Sequence, residues 1–220
     1  MNRSRSAGLL LCLALVGVAA LAAERPPESA EAIKQRVGSG DPLAGKAKSE
    51  AELCQGCHGE NGSSIAVGVP NLAGQYAAYI AKQLQDFRSG ARRHRIMSAM
   101  AEGVSEADSN DIAAYFAGRP PMQGEPGGAN AAARELFLYG DVNRNLDPCV
   151  SCHEPSGGGK QAAGIVYPRL AGQAKGYLRV QLLNWKINAR SNSPQGAMNR
   201  IADALTEQEI AALANYLSGI

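Results

Sequence analysis

The chain has 220 residues, with 22 Lys and Arg against 20 Asp and Glu and only 5% aromatic side chains. Arg3 and Arg5 are two of those 22 cations and lie in a leader-like start, so the rest of the chain balances 20 against 20. A near-neutral chain with no long basic block excludes charge-driven nucleic-acid binding, and its length suits one or two domains.

A basic start, an apolar run over 7–23 and the small-residue end Ala20-Leu21-Ala22 describe a cleavable secretory signal peptide over residues 1–23. The run is short for a membrane span, so an uncleaved anchor is the weaker reading. Cys12 follows three leucines, not a small residue, which argues against a lipoprotein site. The other four of the five cysteines fall in two later motifs, so the mature chain carries no further thiol. Residues 24–40 are a polar lead-in, expected to be loosely attached and assigned no function.

The first half follows in order. Residues 45–53 read as a helix that delivers Cys54-Gln55-Gly56-Cys57-His58. A turn-rich loop over 59–64 leads to Pro70-Asn71-Leu72-Ala73-Gly74-Gln75. Tyr76, Tyr79, Ile80, Leu84 and Phe87 have helical spacing. The cluster Arg92-Arg93-His94-Arg95 precedes Met97 and Met100, and its plain reading is a solvated face. Ser105-Glu106-Ala107-Asp108 resembles a capping box with Asp in its last position. The helix it opens runs through Ile112, Tyr115 and Phe116 and stops at Gly118-Arg119-Pro120-Pro121. Pro- and Gly-rich residues 121–130 read as a linker between a domain over 41–120 and one over 131–220.

The second half repeats this order. A lead helix over 134–139 and a longer insert precede Cys149-Val150-Ser151-Cys152-His153. A Gly-rich loop runs to Pro168-Arg169-Leu170-Ala171-Gly172-Gln173. Tyr177, Gln181, Leu182 and Trp185 match Tyr79, Gln83, Leu84 and Phe87. Met198 precedes a true capping box, Thr206-Glu207-Gln208-Glu209, and a final helix. The chain is a duplicated small all-α domain.

The repeated C-x-x-C-H carries the chemistry. At i, i+3 and i+4 on one turn, two thiols and an imidazole share a face. Cys54 with Cys57, and Cys149 with Cys152, are thus placed to bond a porphyrin edge, with His58 and His153 aimed at iron. A four-thiolate zinc site is the first alternative. A redox dithiol is the second, but no βαβ pattern surrounds either pair. Two matching copies favour two covalent c-type haems, and export fits their attachment outside the bacterial cytoplasm. Each lobe is too small to bury much surface, so a porphyrin at its centre completes the core. In that setting the arginine cluster has two further readings, steering a partner or approaching a haem propionate.

A methionine on the far side of the iron suits electron transfer and blocks substrate access. Met198 is the only methionine after the second motif. The first lobe offers Met97, Met100 and His94. Counted back from Ser105 and Thr206, Met97 aligns with Met198 and Met100 with Ile201, while His94 has no counterpart. The repeated Pro70 and Pro168 are candidate carbonyl donors to the outer nitrogen of each histidine.

These landmarks together resemble the cytochrome c4 family, di-haem c-type cytochromes of the bacterial periplasm, over roughly residues 41–220. The resemblance implies two class I cytochrome c lobes related by a pseudo-two-fold axis, with haem propionates near their boundary. It implies His58 and His153 as proximal ligands, Met97 and Met198 as distal ones, and Pro70 and Pro168 as their orienting carbonyls. It further implies a non-enzymatic carrier delivering electrons from a quinol-oxidising complex to a terminal oxidase, with loose membrane association. The lead-in and the insert before Cys149 depart from the family pattern. Two rival readings stand beside it: a cytochrome subunit fixed to a dehydrogenase or oxidase, and a di-haem peroxidase.

Overall fold

In a computed structural model, residues 28–125 and 130–220 are described; the expected signal peptide over 1–23 and the linker stretch 126–129 lie outside them. Among the described residues no helix is long and apolar enough to cross a membrane.

The described part of the lead-in, residues 28–40, is more ordered than its polarity suggests. Helix α1 (Ala30–Val37) starts where the Ser29 hydroxyl accepts from Ala32 N at 3.2 Å. Arg36, 3% exposed, pairs with Glu28 through bonds of 3.1 and 2.8 Å. The segment is thus docked, against α4 (Ala77–Ser89) and α6 (Glu106–Ala117), instead of loosely attached.

Helix α2 (Pro42–Ala51) has Asp41 as N-cap and Pro42 in its first turn, a favoured start for a helix. It packs along α6, whose buried residues include Ile112, Tyr115 and Phe116. The short helix α3 (Cys54–His58) follows α2, and α5 (Arg95–Glu102) packs on α4. At the start of α6 Ser105 Oγ accepts from Asp108 N at 3.1 Å. The Ser105 hydroxyl donates to the Asp108 carboxylate at 2.6 Å.

The second lobe repeats the pattern with α7 (Ala131–Tyr139), α8 (Val150–His153), α9 (Lys175–Lys186), α10 (Ala197–Asp203) and α11 (Glu207–Ser218). Its capping box is complete: Thr206 N donates to Glu209 Oε2 at 2.8 Å and Glu209 N to Thr206 Oγ1 at 3.2 Å. The core is Phe137, Leu178, Leu205, Ile210, Leu213 and Leu217.

Two features depart from a plain helical repeat. The Gly-rich loop holds an antiparallel hairpin, β1 (Lys160–Ala162) and β2 (Ile165–Tyr167), with Lys160 opposite Tyr167. Its turn residues Ala163 and Gly164 have φ of 49° and 74°, as in a mirror-image two-residue turn. The insert before Cys149 is a loop closed by paired backbone bonds between Asp141 and Leu146. Arg144 ties it to Asp141 at 2.7 Å and to Glu209 at 2.8 Å.

The landmark over 70–75 and 168–173 is anchored identically in both lobes. Leu72 and Ala73 N–H donate to Gly62 O, and Leu170 and Ala171 N–H to Gly157 O. Gly74 N donates to Phe116 O and Gly172 N to Leu217 O, tying each landmark to its last helix. Gly172 shows why the glycine is needed. Its φ is +76°, and a Cβ there would lie 2.2 Å from Met122 O. Met122 itself is 2% exposed and its N–H donates to Ala73 O at 2.9 Å. The described part of the linker is therefore packed between the lobes.

Candidate haem sites and the boundary between them

Cys54, Cys57 and His58 share the single turn of α3, and Cys152 and His153 end α8, whose N-cap is Cys149. None of these four cysteines is paired in a disulfide. Burial pushes the Cys54 and Cys149 thiols up to about 11, so both stay protonated at neutral pH. Among the described residues no three His, Cys, Asp or Glu side chains gather to hold a metal, which removes the four-thiolate zinc reading.

The histidines are buried, at 6% and 7% exposure. His58 Nδ1 lies 2.9 Å from Pro70 O, and His153 Nδ1 lies 3.0 Å from Pro168 O. A carbonyl only accepts, so Nδ1 must carry the proton. Burial holds both imidazoles below their ordinary pKa despite the carbonyl contact, which keeps them neutral. A neutral ring protonated on Nδ1 leaves the Nε2 lone pair for a metal. The donor set thus fits a haem: two cysteines and one oriented imidazole at each short turn.

Met97 and Met198 are half-buried near the starts of α5 and α10. Each has its backbone fixed by an upstream side chain: Met97 N donates to His94 Nδ1 at 3.3 Å, and Met198 N to Ser193 Oγ at 3.2 Å. His94 is therefore an exposed helix cap. Met100 is also half-buried, one turn further along α5.

The arginine cluster does not form one solvated face. Arg93, His94 and Arg95 are exposed, but Arg92 is buried. It donates to Gln83 Oε1 in its own lobe and to Tyr177 OH and Gln181 Oε1 in the other, at 2.8, 3.0 and 2.8 Å. Arg190 mirrors it, donating to Gln181 Oε1 at 2.8 Å, Tyr79 OH at 3.1 Å and Gln83 Oε1 at 3.0 Å. Burial disfavours a phenolate at Tyr177, yet the two guanidiniums outweigh it and bring that hydroxyl below its usual range. The repeat had paired Tyr79 with Tyr177 and Gln83 with Gln181. Arg190, which no sequence signal singled out, becomes visible only when the same alignment is carried on from Arg92.

A second set of bonds crosses the boundary at the repeated landmark. The Gln75 amide accepts from Arg169 N and donates to Arg169 O, both at 2.9 Å. The Gln173 amide accepts from Asn71 N at 2.7 Å and donates to Asn71 O at 2.9 Å. Both glutamines are 4% exposed.

The family model for cytochrome c matches this chain twice, over residues 43–118 and 145–220. Cytochrome c4 of Thiocapsa roseopersicina is 37% identical over 182 residues, 82% of this chain and 93% of that one. A thiosulfate dehydrogenase electron acceptor of Stutzerimonas stutzeri is 36% identical and covers 94% of both chains. Reduced recombinant cytochrome c4 from Pseudomonas stutzeri superposes with a TM-score of 0.76 at 34% identity, covering 83% of this chain and 100% of that one. A thiosulfate dehydrogenase from Marichromatium purpuratum gives 0.71 at 35% identity, over 80% of this chain and 40% of its own. With two such domains, each built around a buried and oriented histidine, the chain belongs to the cytochrome c4 family and carries two covalently bound haem c groups.

Proposed function

We propose that in this electron carrier Cys54 and Cys57, and Cys149 and Cys152, would hold one haem in each lobe, with His58 and Met97, and His153 and Met198, as the iron ligands. The observation that carries this reading is the doubled histidine–proline contact, at 2.9 and 3.0 Å, which fixes both imidazoles in the metal-binding tautomer. When bound, the haem iron supplies reversible one-electron chemistry. The chain's own residues do the rest. Pro70 and Pro168 orient the rings and raise their basicity. The side-chain caps on Met97 and Met198 N–H hold each sulfur's backbone in place. A thioether ligand on each iron keeps out peroxide, which sets the protein apart from a di-haem peroxidase.

The working compartment is the periplasm, reached through the 1–23 signal peptide. The partners are a quinol-oxidising complex as donor and a terminal oxidase as acceptor, with loose membrane association. Leu53, Ile65 and Val67 near the first motif are exposed by 72%, 102% and 100%, an apolar surface suited to brief docking.

A second reading has its own support. The thiosulfate dehydrogenase electron acceptor matches 94% of the chain, too large a share to leave out the lead-in, whose helix is docked on the first lobe. In that reading the protein takes electrons from a dehydrogenase instead of a quinol-oxidising complex. Purification of the native protein from periplasm separates the two: a monodisperse small protein supports the mobile carrier, and a stable complex with a dehydrogenase supports the second reading. Slow reaction of the reduced protein with carbon monoxide at neutral pH is expected in both cases. Rapid stoichiometric binding at either haem contradicts six-coordinate iron.

A further inference from the structure

We propose that Gln75 and Gln173 are positioning residues that act across the lobe boundary, each tuning the haem of the opposite lobe. The inference rests on His58 and His153 being iron ligands, as proposed above.

The geometry is that of single peptide planes. Pro168 C=O and Arg169 N–H belong to one peptide group. Its oxygen is 3.0 Å from His153 Nδ1, and its N–H donates to Gln75 Oε1 at 2.9 Å. The group that orients the second lobe's histidine is thus engaged at its far end by a first-lobe side chain. The mirror image holds: Pro70 O is 2.9 Å from His58 Nδ1, and Asn71 N–H of the same peptide donates to Gln173 Oε1 at 2.7 Å.

Each glutamine is locked in this pose. Its Nε2 donates to the carbonyl of the same opposite residue, and its Oε1 also accepts from the next backbone N–H of its own chain, Tyr76 N at 3.1 Å or Ala174 N at 2.9 Å. Both amides are buried, so water does not easily replace them. Hydrogen bonds in series polarise one another. An amide that donates to a glutamine oxygen has a more negative carbonyl, which accepts more strongly from the imidazole. A more electron-rich imidazole favours ferric iron. Losing the glutamine weakens that chain and raises the potential of the haem on the other side.

The test uses the mature di-haem protein and NMR signals assigned to each lobe. Gln75→Leu is expected to raise the potential of the second-lobe haem alone and to move the His153 Nδ1 proton upfield in the reduced state. Gln173→Leu is expected to do the same to the first-lobe haem and His58. Gln75→Glu gives Arg169 N–H a stronger, anionic acceptor and is expected to move the His153 proton downfield and lower the second-lobe potential. That variant decides the matter if the leucine variant does not assemble. Equal movement of both potentials, movement in the variant's own lobe, no movement, or an upfield His153 proton in Gln75→Glu overturns the proposal. Failure of the underlying ligand reading is distinguishable, since the unmodified protein itself would then lack a His/Met spectrum.

Discussion

Arg92 and Arg190 donate to one and the same oxygen, Gln83 Oε1, at 2.8 and 3.0 Å, although each arginine comes from a different lobe. Each also lies over an equivalent aromatic ring, Phe87 at 4.6 Å and Trp185 at 4.3 Å. Two buried cations share neutral acceptors here, so the acceptors carry unusual weight.

Gln83→Leu leaves three donors, from Arg92, Arg190 and Asn192, short of an acceptor. It is expected to destabilise the holo-protein by about 3 kcal/mol in urea unfolding, the scale of a lost bond to buried charge. Gln83→Glu sets an anion between two cations in the same shape and should be neutral or stabilising. Equal loss in both variants contradicts the view that charge and acceptor supply govern this boundary.

The insert before Cys149 has a pH signature. Arg144 holds Glu209 down to about 2 from an ordinary 4.5. A depressed carboxylate stabilises the fold above its unfolded pKa, and the contribution fades as pH falls from about 4.5 toward 2. Glu209→Gln should therefore be less stable than the parent at pH 7, with a difference that shrinks through that acid range and vanishes below it. Denaturant titrations at several pH values read this directly. Glu209 remains 27% exposed, so screening keeps the effect modest.

Much of this was legible in the sequence because it was written twice. The two C-x-x-C-H turns, the P-x-L-A-G-Q landmarks and the capped final helices gave the all-α duplication and both candidate sites. Where repetition stopped, legibility stopped. The hairpin over 160–167 has three-residue strands and an Ala-Gly turn, too short and too weak a signal to separate from loop. The lead-in helix packs on α4 and α6 and buries Arg36, paired with Glu28, although polarity alone reads that segment as solvent-exposed. The burial of Arg92 was invisible for a different reason: its partners Tyr177 and Gln181 lie far along the chain, and composition around it suggests only a charged surface.

The distal ligand of the first lobe is separable by mutation. Met97→Leu should abolish the methionine–iron charge-transfer absorption of the first haem and lower its potential, most clearly in a Met198→Leu background. Met100→Leu preserves volume, so it should keep the band and cost at most about 1.5 kcal/mol. Loss of the band in Met100→Leu with retention in Met97→Leu would place the ligand one turn later on α5.

Haem attachment has a mass signature. Protein matured in a periplasm competent for c-type haem should carry two haems and lack the signal peptide. The double variant Cys54→Ala with Cys57→Ala should carry one. Two covalent haems on that variant contradict the assigned attachment sites.

The central claim, two six-coordinate His/Met haems working as single-electron sites, is tested most directly by an optically monitored redox titration of the mature protein. The expected result is two reversible one-electron steps that account for two haems, with the methionine–iron band lost as the sites are reduced. A single haem, a step without that band, or a site that turns five-coordinate on reduction would contradict it.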